Sequence, residues 1–165
     1  MVRLGMRSES TRKQLYRRDD LQRLADRIAE GESVREACEV SVLFVDDEQM
    51  RAINRAYRKV NKPTDVLSFE QPEGPAGETR LLGDIVMSLE TVEQRWPGEP
   101  AKMRDEVRLL LCHGMLHLLG YDHDTAQARK QMIALQARYL GRTLDAAWFA
   151  PPHARKGRTG KLSAP

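Results

Sequence analysis

The stretch that most constrains the fold of this chain is HGMLHLLGYDH, residues 113 to 123, which holds three of the four histidines. His113 and His117 are four residues apart, so on an α-helix they lie about 40° apart on one face and one turn along it. Gly120 follows at a spacing where helices commonly end in a left-handed residue, a conformation that glycine adopts at little cost. The chain can then turn and bring His123 back toward the first pair. The pattern predicts a helix, a tight turn and three imidazoles that converge on one point.

Three neutral imidazoles with a fourth position left for water are typical of a catalytic zinc site rather than a closed structural one. The alternative is that ordinary polar side chains happen to lie close together on or beside a buried helix. The spacing favours one zinc ion per chain, bound by His113, His117 and His123. Cys112 precedes His113, but adjacent helical residues point about 100° apart, so we interpret Cys112 as a small buried apolar residue and not as a ligand.

The same ligand spacing, H-x-x-x-H-x-x-G-x-x-H, occurs in the metzincin metalloproteases. In those enzymes a glutamate follows the first histidine and serves as the general base. Here that position is Gly114. The match is therefore one of metal geometry, and a protease is the less favoured interpretation.

Length and composition are those of one ordinary globular domain. A chain of 165 residues can bury one substantial core, and 41% hydrophobic with 31% charged residues excludes a fibrous or fully disordered class. The apolar stretches at 40–45 and 109–112 are far too short to span a bilayer, and no secretory signal is visible, so we expect a cytoplasmic protein without membrane association. Two cysteines, Cys38 and Cys112, do not make a disulfide framework and should be reduced.

The net charge of +3 is unevenly distributed. Four basic residues and no acid lie in the segment 150–165, which leaves 23 basic and 24 acidic residues before it, a net charge of −1. We predict a single domain over residues 1–149 and a basic, disordered tail over 150–165. The tail could add salt-sensitive affinity for nucleic acid or serve only solubility. His153 lies in it and is not expected to be a ligand.

Hydrophobic periodicity predicts an α+β fold with a small mixed sheet, packed helices, and a metal-binding helix followed by a turn. Strands are expected at CEVSVLFVD, which should be central, at TDVLSFE and at LLGDIVMSLE. A helix capped by Asp46 or Asp47 should follow the first of these, and a short helix should end before Pro97. Further helices are predicted over residues 12–30, 101–119 and 125–141.

Three blocks of this sequence resemble the YbeY family of bacterial endoribonucleases. HGMLHLLGYDH is similar to the family signature H-G-x-L-H-L-x-G-Y-D-H at every fixed position. INRAYRKVNKPTDVLSFE resembles a second family block, with Ile53 in place of leucine and Glu70 where a proline is common. LGDI at residues 82–85 resembles a third. The segment TAQARKQ departs from the acidic turns that often follow the last histidine in the family.

The resemblance implies a metal-dependent endoribonuclease, specific for single strands, that acts in maturation of the 3′ end of 16S rRNA and in ribosome quality control. Its partners would be single-stranded RNA, the rRNA of the small subunit, and the ribosome or ribosome-associated factors. The family's zinc ligands carry over to His113, His117 and His123. Its functionally important arginine carries over to Arg58, where a guanidinium could hold a phosphate through two hydrogen bonds.

The sequence does not identify the residue that would act as general base. Asp65 and Asp84 are carboxylates in the matched blocks that could reach the site or simply serve turns and caps. Asp122 and Asp124 flank His123, and a carboxylate that accepts a ring N–H from a ligand histidine is a common device around metals. Asn54 and Lys59 are further candidates for contact with RNA.

A binding module is the main alternative to an enzyme. In that interpretation the zinc is structural, and the protein is a non-catalytic ribosome-associated factor. The aromatic content of 5% offers few platforms for stacking bases and mildly favours it. Removal of the metal should unfold such a module, whereas the enzyme should remain folded without it.

Overall fold

The computed structural model describes residues 1–12, 15–72, 74 and 79–144. The predicted tail at 150–165 and His153 lie outside these residues. In chain order the elements are β1 (Val2–Ser8), α1 (Arg18–Gly31), β2 (Cys38–Val45), α2 (Asp47–Arg58), β3 (Val66–Glu70), β4 (Arg80–Ser88), α3 (Leu89–Arg95), α4 (Pro100–Leu118) and α5 (Ala126–Leu140). The α+β class predicted from the sequence is confirmed.

The four strands form one mixed sheet in the order β1-β2-β4-β3. β2 pairs in parallel with β1 and β4, and β3 pairs antiparallel with β4, so β3 forms one edge. β2 is central, as its β-branched content predicts. β1 was not predicted as a strand from the sequence.

The two faces of the sheet are covered by different helices. Val40, Val42 and Phe44 alternate along β2 into the main core, which they share with buried residues of α1, α3, α4 and α5. The opposite face holds a smaller cluster in which Met50 of α2 packs with Val86 and neighbouring strand residues. α2 therefore packs on one face of the sheet and α4, the helix that carries the first two histidines, on the other. Both helices reach the edge strand β3, where Tyr57 of α2 contacts Phe69 and α4 packs alongside.

The first helix begins later than the periodicity predicts, at Arg18 rather than at residue 12. The preceding segment is held by tertiary contacts instead: Ser10 and Thr11 donate hydrogen bonds to the carboxylate of Asp46, and Arg12 forms an ion pair with it. Asp46 also caps α2 in a capping box with Gln49. A carboxylate at this position thus fixes both the start of α2 and the loop before α1.

None of the helices in the described part of the chain combines the length and apolar character that a membrane span requires.

Candidate metal centre

Helix α4 carries His113 and His117 one turn apart, and both are buried, with 2% and 6% of their surface exposed. Their Nε2 atoms lie 3.0 Å from each other. The four-residue spacing on a regular helix produces this approach directly, because side chains at i and i+4 share a face.

The turn after α4 brings the third histidine to the pair. Gly120 has φ of +94°, and its N–H bonds to the carbonyl of His117 while the N–H of Tyr121 bonds to the carbonyl of Leu116. These two bonds are those of a Schellman motif, which glycine favours because it has no Cβ. The ring centroid of His123 then lies 5.4 Å from that of His113 and 5.1 Å from that of His117.

Two hydrogen bonds fix the orientation of the paired rings. His113 Nδ1 lies 2.9 Å from Oε1 of Gln136, and His117 Nδ1 lies 2.9 Å from the backbone carbonyl oxygen of Tyr121. Both partners are oxygen acceptors, so both Nδ1 atoms carry the proton. In the neutral rings each Nε2 then has a lone pair.

Two lone pairs directed at each other across 3.0 Å repel unless a cation lies beside both. The three histidines can each offer one nitrogen, and these atoms all lie within 4.8 Å of one another. A tetrahedral zinc site with bonds of about 2.0–2.1 Å requires nitrogens roughly 3.3–3.4 Å apart. The donor set and its spacing therefore fit a metal ion held by three imidazoles.

Burial keeps the first of these ligands in its neutral form. Loss of solvation, together with the neighbouring His117 and His123, lowers the pKa of His113 from 6.5 to about 3. Only neutral imidazole binds a metal, so His113 needs no deprotonation at neutral pH.

Sequence reasoning missed the two groups that orient the histidine rings. Gln136 is fully buried on α5, and its place in the site depends on how α5 packs against α4. Tyr121 contributes a backbone carbonyl, and its hydroxyl donates to Glu32 at the end of α1 over 2.6 Å. Tyr139 of α5 also donates to Glu32. Glu32 thus connects the turn after α4 to α5. In the sequence, only Gly120 indicates this turn.

Gly114 occupies the position at which the metzincin proteases have their catalytic glutamate, and it faces the sheet. A Cβ there would lie 2.9 Å from Cδ1 of Ile85 and 3.1 Å from Oγ of Ser68. Glycine therefore permits the close packing of α4 on β3 and β4, and any side chain there would crowd Ile85 and Ser68. The structure thus gives a packing reason for a glycine where the protease has its base.

Cys112 is fully buried, and loss of solvation raises the pKa of its thiol to about 12. It is therefore a neutral thiol and does not belong to the group of potential ligands. This agrees with its interpretation as a small apolar residue.

The four candidate carboxylates have other contacts in the structure. Asp65 forms an ion pair with Arg95 over 3.1 Å, which also pairs with Glu106. Asp84 accepts from Gln71 over 2.9 Å, and strand alternation places it on the face of β4 opposite Ile85 and hence opposite α4.

Asp122 lies beside the third histidine and contacts its main chain. Its carboxylate accepts the backbone N–H of His123 over 2.6 Å. Burial opposes ionisation of Asp122, but this bond and the neighbouring Asp124 and histidines outweigh it and lower its pKa. Asp122, His123 and Asp124 form a second set of closely spaced potential ligands.

Arg58 lies in the last turn of α2 and is half-buried. Burial lowers the pKa of its guanidinium, and among the described residues no carboxylate pairs with it. Asn54, one turn earlier, is buried and donates to the carbonyl of Lys62 over 2.7 Å, so its side chain serves the loop after α2. Lys59 is exposed.

Comparison with known proteins gives a consistent result for most of the chain. The family model described as Endoribonuclease YbeY matches residues 6–143. A protein named Endoribonuclease YbeY from Pelotomaculum thermopropionicum is 43% identical over 126 residues, 74% of this chain and 83% of that protein. Its namesake from Bacillus mycoides is 38% identical over 125 residues, 71% of this chain and 80% of the relative.

Among solved structures, the solution structure of TM1509 from Thermotoga maritima has a similar fold. Its TM-score is 0.58 at 23% sequence identity, and the match covers 94% of this chain and 100% of that one. At this identity the likeness concerns the fold alone.

Proposed function

Because this chain belongs to the endoribonuclease YbeY family, we propose that it hydrolyses phosphodiester bonds of single-stranded RNA at His113, His117 and His123. The observation that carries the proposal is the pair of Nε2 lone pairs directed at each other across 3.0 Å, with both Nδ1 atoms already committed as donors. A cation beside both nitrogens would remove the repulsion between them, and the three histidines can together hold one.

The ion that this donor set favours is a single zinc. Three imidazoles suit Zn²⁺ better than Mg²⁺ or Ca²⁺, which prefer oxygen ligands. When bound, zinc lowers the pKa of a coordinated water to about 7 and polarises a phosphoryl oxygen. The protein supplies fixed ring orientations through Gln136 and the carbonyl of Tyr121.

Arg58 is proposed to bind the phosphate that is cleaved. Its guanidinium is half-buried, yet no described carboxylate neutralises it. A phosphate is a suitable counter-ion, because the planar fork offers two parallel hydrogen bonds and stabilises negative charge that grows in the transition state. Burial strengthens both effects by lowering the local dielectric.

The biological substrate proposed from the family is the rRNA of the small ribosomal subunit. Maturation of the 3′ end of 16S rRNA and ribosome quality control would bring the protein to the ribosome or its associated factors, in the cytoplasm. One catalytic domain over residues 1–149 would suffice, with the basic segment 150–165 as an accessory to RNA binding.

The direct test is cleavage of a labelled single-stranded RNA by the purified protein. We expect cleavage to be lost in His113→Ala and after chelation, and to return in the chelated wild type when zinc is added. Arg58→Ala should lower the rate by about 10²-fold or more, and Arg58→Lys should recover only part of it, because a lysine lacks the bidentate fork.

Cleavage that persists unchanged in His113→Ala would overturn the proposal and indicate a contaminating nuclease. Tight zinc binding with no cleavage of RNA or of ribosomal particles would favour the non-catalytic binding factor. Hydrolysis of a casein substrate would favour the protease, against which Gly114 already argues.

A further inference from the structure

The outer face of α2 carries a line of cations that leads to Arg58. Arg51, Arg55 and Arg58 stand at positions i, i+4 and i+7, so they share one stripe of the helix, each about one turn from the next. Arg51 and Arg55 are exposed, and Arg58 is half-buried. The stripe thus runs from solvent to the guanidinium that the proposed function places at the cleaved phosphate.

These charges lack partners of opposite sign within the described part of the chain. Neither Arg51 nor Arg55 forms an ion pair or a side-chain hydrogen bond there, and the ammonium of Lys59 reaches only the carbonyl of Ala56 at 3.4 Å. Several arginines elsewhere are paired, for example Arg7 with Glu9 and Arg12 with Asp46. Cations that are not neutralised within the protein are available to bind an anion from solution.

A shallow depression lies beside the stripe. It has a volume of about 580 Å³ and is lined by Ala52, Arg55, Ala56, Lys59 and Asn61. The lining combines the short side chains of two alanines with the cations of Arg55 and Lys59. The depression is therefore open to an extended phosphate backbone beside both cations.

Outside the basic segment 150–165, affinity for RNA depends on local clusters of cations. Residues before 150 carry a net charge of −1, so the domain as a whole does not attract a polyanion. Affinity for RNA must come from sites where cations cluster, because each phosphate contact releases bound counter-ions.

We propose that Arg51, Arg55 and Lys59 form an accessory site that binds the backbone of single-stranded RNA outside the cleaved bond and directs the strand to Arg58. This rests on the proposed function and extends it, since it identifies how the strand is held beyond the catalytic centre. The site recognises phosphates and not base sequence, because arginine and lysine contacts to the backbone carry no sequence information.

The test is equilibrium binding of a fluorescent single-stranded 12-nucleotide RNA to the full-length protein across a salt series, with the RNA checked for integrity after each titration. Arg51→Ala/Arg55→Ala should weaken binding by about tenfold or more near 50 mM salt. It should also reduce the slope of log affinity against log salt by roughly 1.4, since each phosphate contact on a single strand contributes about 0.7. Alanine is a strong helix former, so α2 should remain intact.

The matched control is Arg17→Ala/Arg35→Ala. Both arginines are exposed and make no ion pair within the described part of the chain, and the change in net charge is the same. This variant should keep the wild-type slope. An equal loss of slope in both double variants would overturn the site, because net charge alone would then explain binding.

The accessory site and the proposed function can fail separately. Zinc-dependent cleavage by the wild type with an unchanged slope in Arg51→Ala/Arg55→Ala would overturn the site and leave the function standing. A lower slope in that variant, with no cleavage by the wild type, would support the site and overturn the function.

Discussion

At the scale of single residues, the centre depends on groups that touch no substrate. Gln136 is a positioning residue: its side-chain oxygen holds the proton of His113 on Nδ1, so that Nε2 carries the lone pair that would bind a metal. Without that acceptor the ring could rotate or change tautomer, and the lone pair would no longer point toward His117. Partners of this kind typically change metal affinity by 10–100-fold.

Gln136→Leu should therefore weaken zinc binding by about 10- to 100-fold, measured by competition with a chromophoric chelator. Gln136→Glu keeps an oxygen acceptor for His113 Nδ1–H. It should therefore bind zinc more tightly than Gln136→Leu does. The control is Gln127→Leu on the exposed part of the same helix, which should leave affinity unchanged. Equal affinities for Gln136→Leu and wild type would contradict the role.

The low pKa of His113 predicts a pH dependence of stability in the metal-free protein. The unfolded chain takes up a proton near pH 6.5, whereas the folded chain does so only near pH 3. Between these values the unfolded state binds more protons, so the free energy of unfolding falls as the pH falls. The decline should reach at most about 1.4 kcal/mol per pH unit.

Urea unfolding of the metal-free protein at several pH values between 7 and 4 measures this decline. In His113→Gln the residue at position 113 does not titrate. The free energy of unfolding of this variant should therefore fall less steeply with decreasing pH than that of the wild type, whatever the variant's stability at pH 7. Parallel profiles for the wild type and this variant would assign the decline to other groups.

At the scale of secondary structure, the decisive element is α4 with its terminal turn. The helix places two histidines, and the Schellman motif at Gly120 places both the carbonyl that orients His117 and the third histidine. Its dependence on a left-handed glycine makes the turn sensitive to a single Cβ.

Gly120→Ala should destabilise the protein by about 1–2 kcal/mol and also weaken zinc binding, because the strained turn would shift the carbonyl of Tyr121. Gly141 is a matched control: it has φ of +65° at the end of α5, and a Cβ there also meets no atom within 4 Å. Gly141→Ala should cost similar stability in thermal unfolding and leave zinc affinity unchanged. A loss of affinity in both variants would show that general destabilisation is responsible.

The sequence predicts the elements that follow local rules and misses those that depend on distant partners. β2, β4 and α5 have clear periodicity and turn residues at their ends, so they occur close to their predicted ranges. β1 alternates only Val2, Leu4 and Met6, and it becomes a strand because β2 offers a free parallel edge. The predicted helix includes Arg12, but Arg12 and its neighbour Thr11 are held by Asp46, a contact across more than thirty residues.

The candidate site divides in the same way. Ligand spacing along α4 is local information, and the structure brings His113, His117 and His123 together as that spacing predicts. Gln136 looks like a surface residue of an amphipathic helix until the packing of α5 against α4 is known. The sequence leaves Asp65 as one candidate for the general base. Its ion pair with Arg95 of α3 depends on tertiary packing, which the sequence does not show.

At the scale of the whole molecule, the core does not depend on the metal. The main cluster of buried apolar residues joins the sheet to α1, α3, α4 and α5 and is extensive without any contribution from a metal ion. The fold should therefore persist when the ion is removed, unlike small zinc domains whose folding requires it.

Chelation should leave the far-ultraviolet circular dichroism unchanged and lower the unfolding temperature without loss of cooperativity. Ligand linkage alone accounts for about 4 kcal/mol of stability when free zinc exceeds its dissociation constant a thousandfold. A collapse of the helical signal on chelation would contradict this prediction and favour a structural zinc.

The two hydrogen-bond acceptors that orient the histidine rings differ in how easily a mutation can remove them. One codon change at Gln136 can remove the acceptor for His113. The acceptor for His117 is a peptide carbonyl at Tyr121, which every amino acid possesses, so no substitution of that side chain can delete it directly. Substitution at residue 121 should therefore cost the hydroxyl contact to Glu32, whereas the orientation of His117 depends on the backbone and is sensitive chiefly to changes at Gly120.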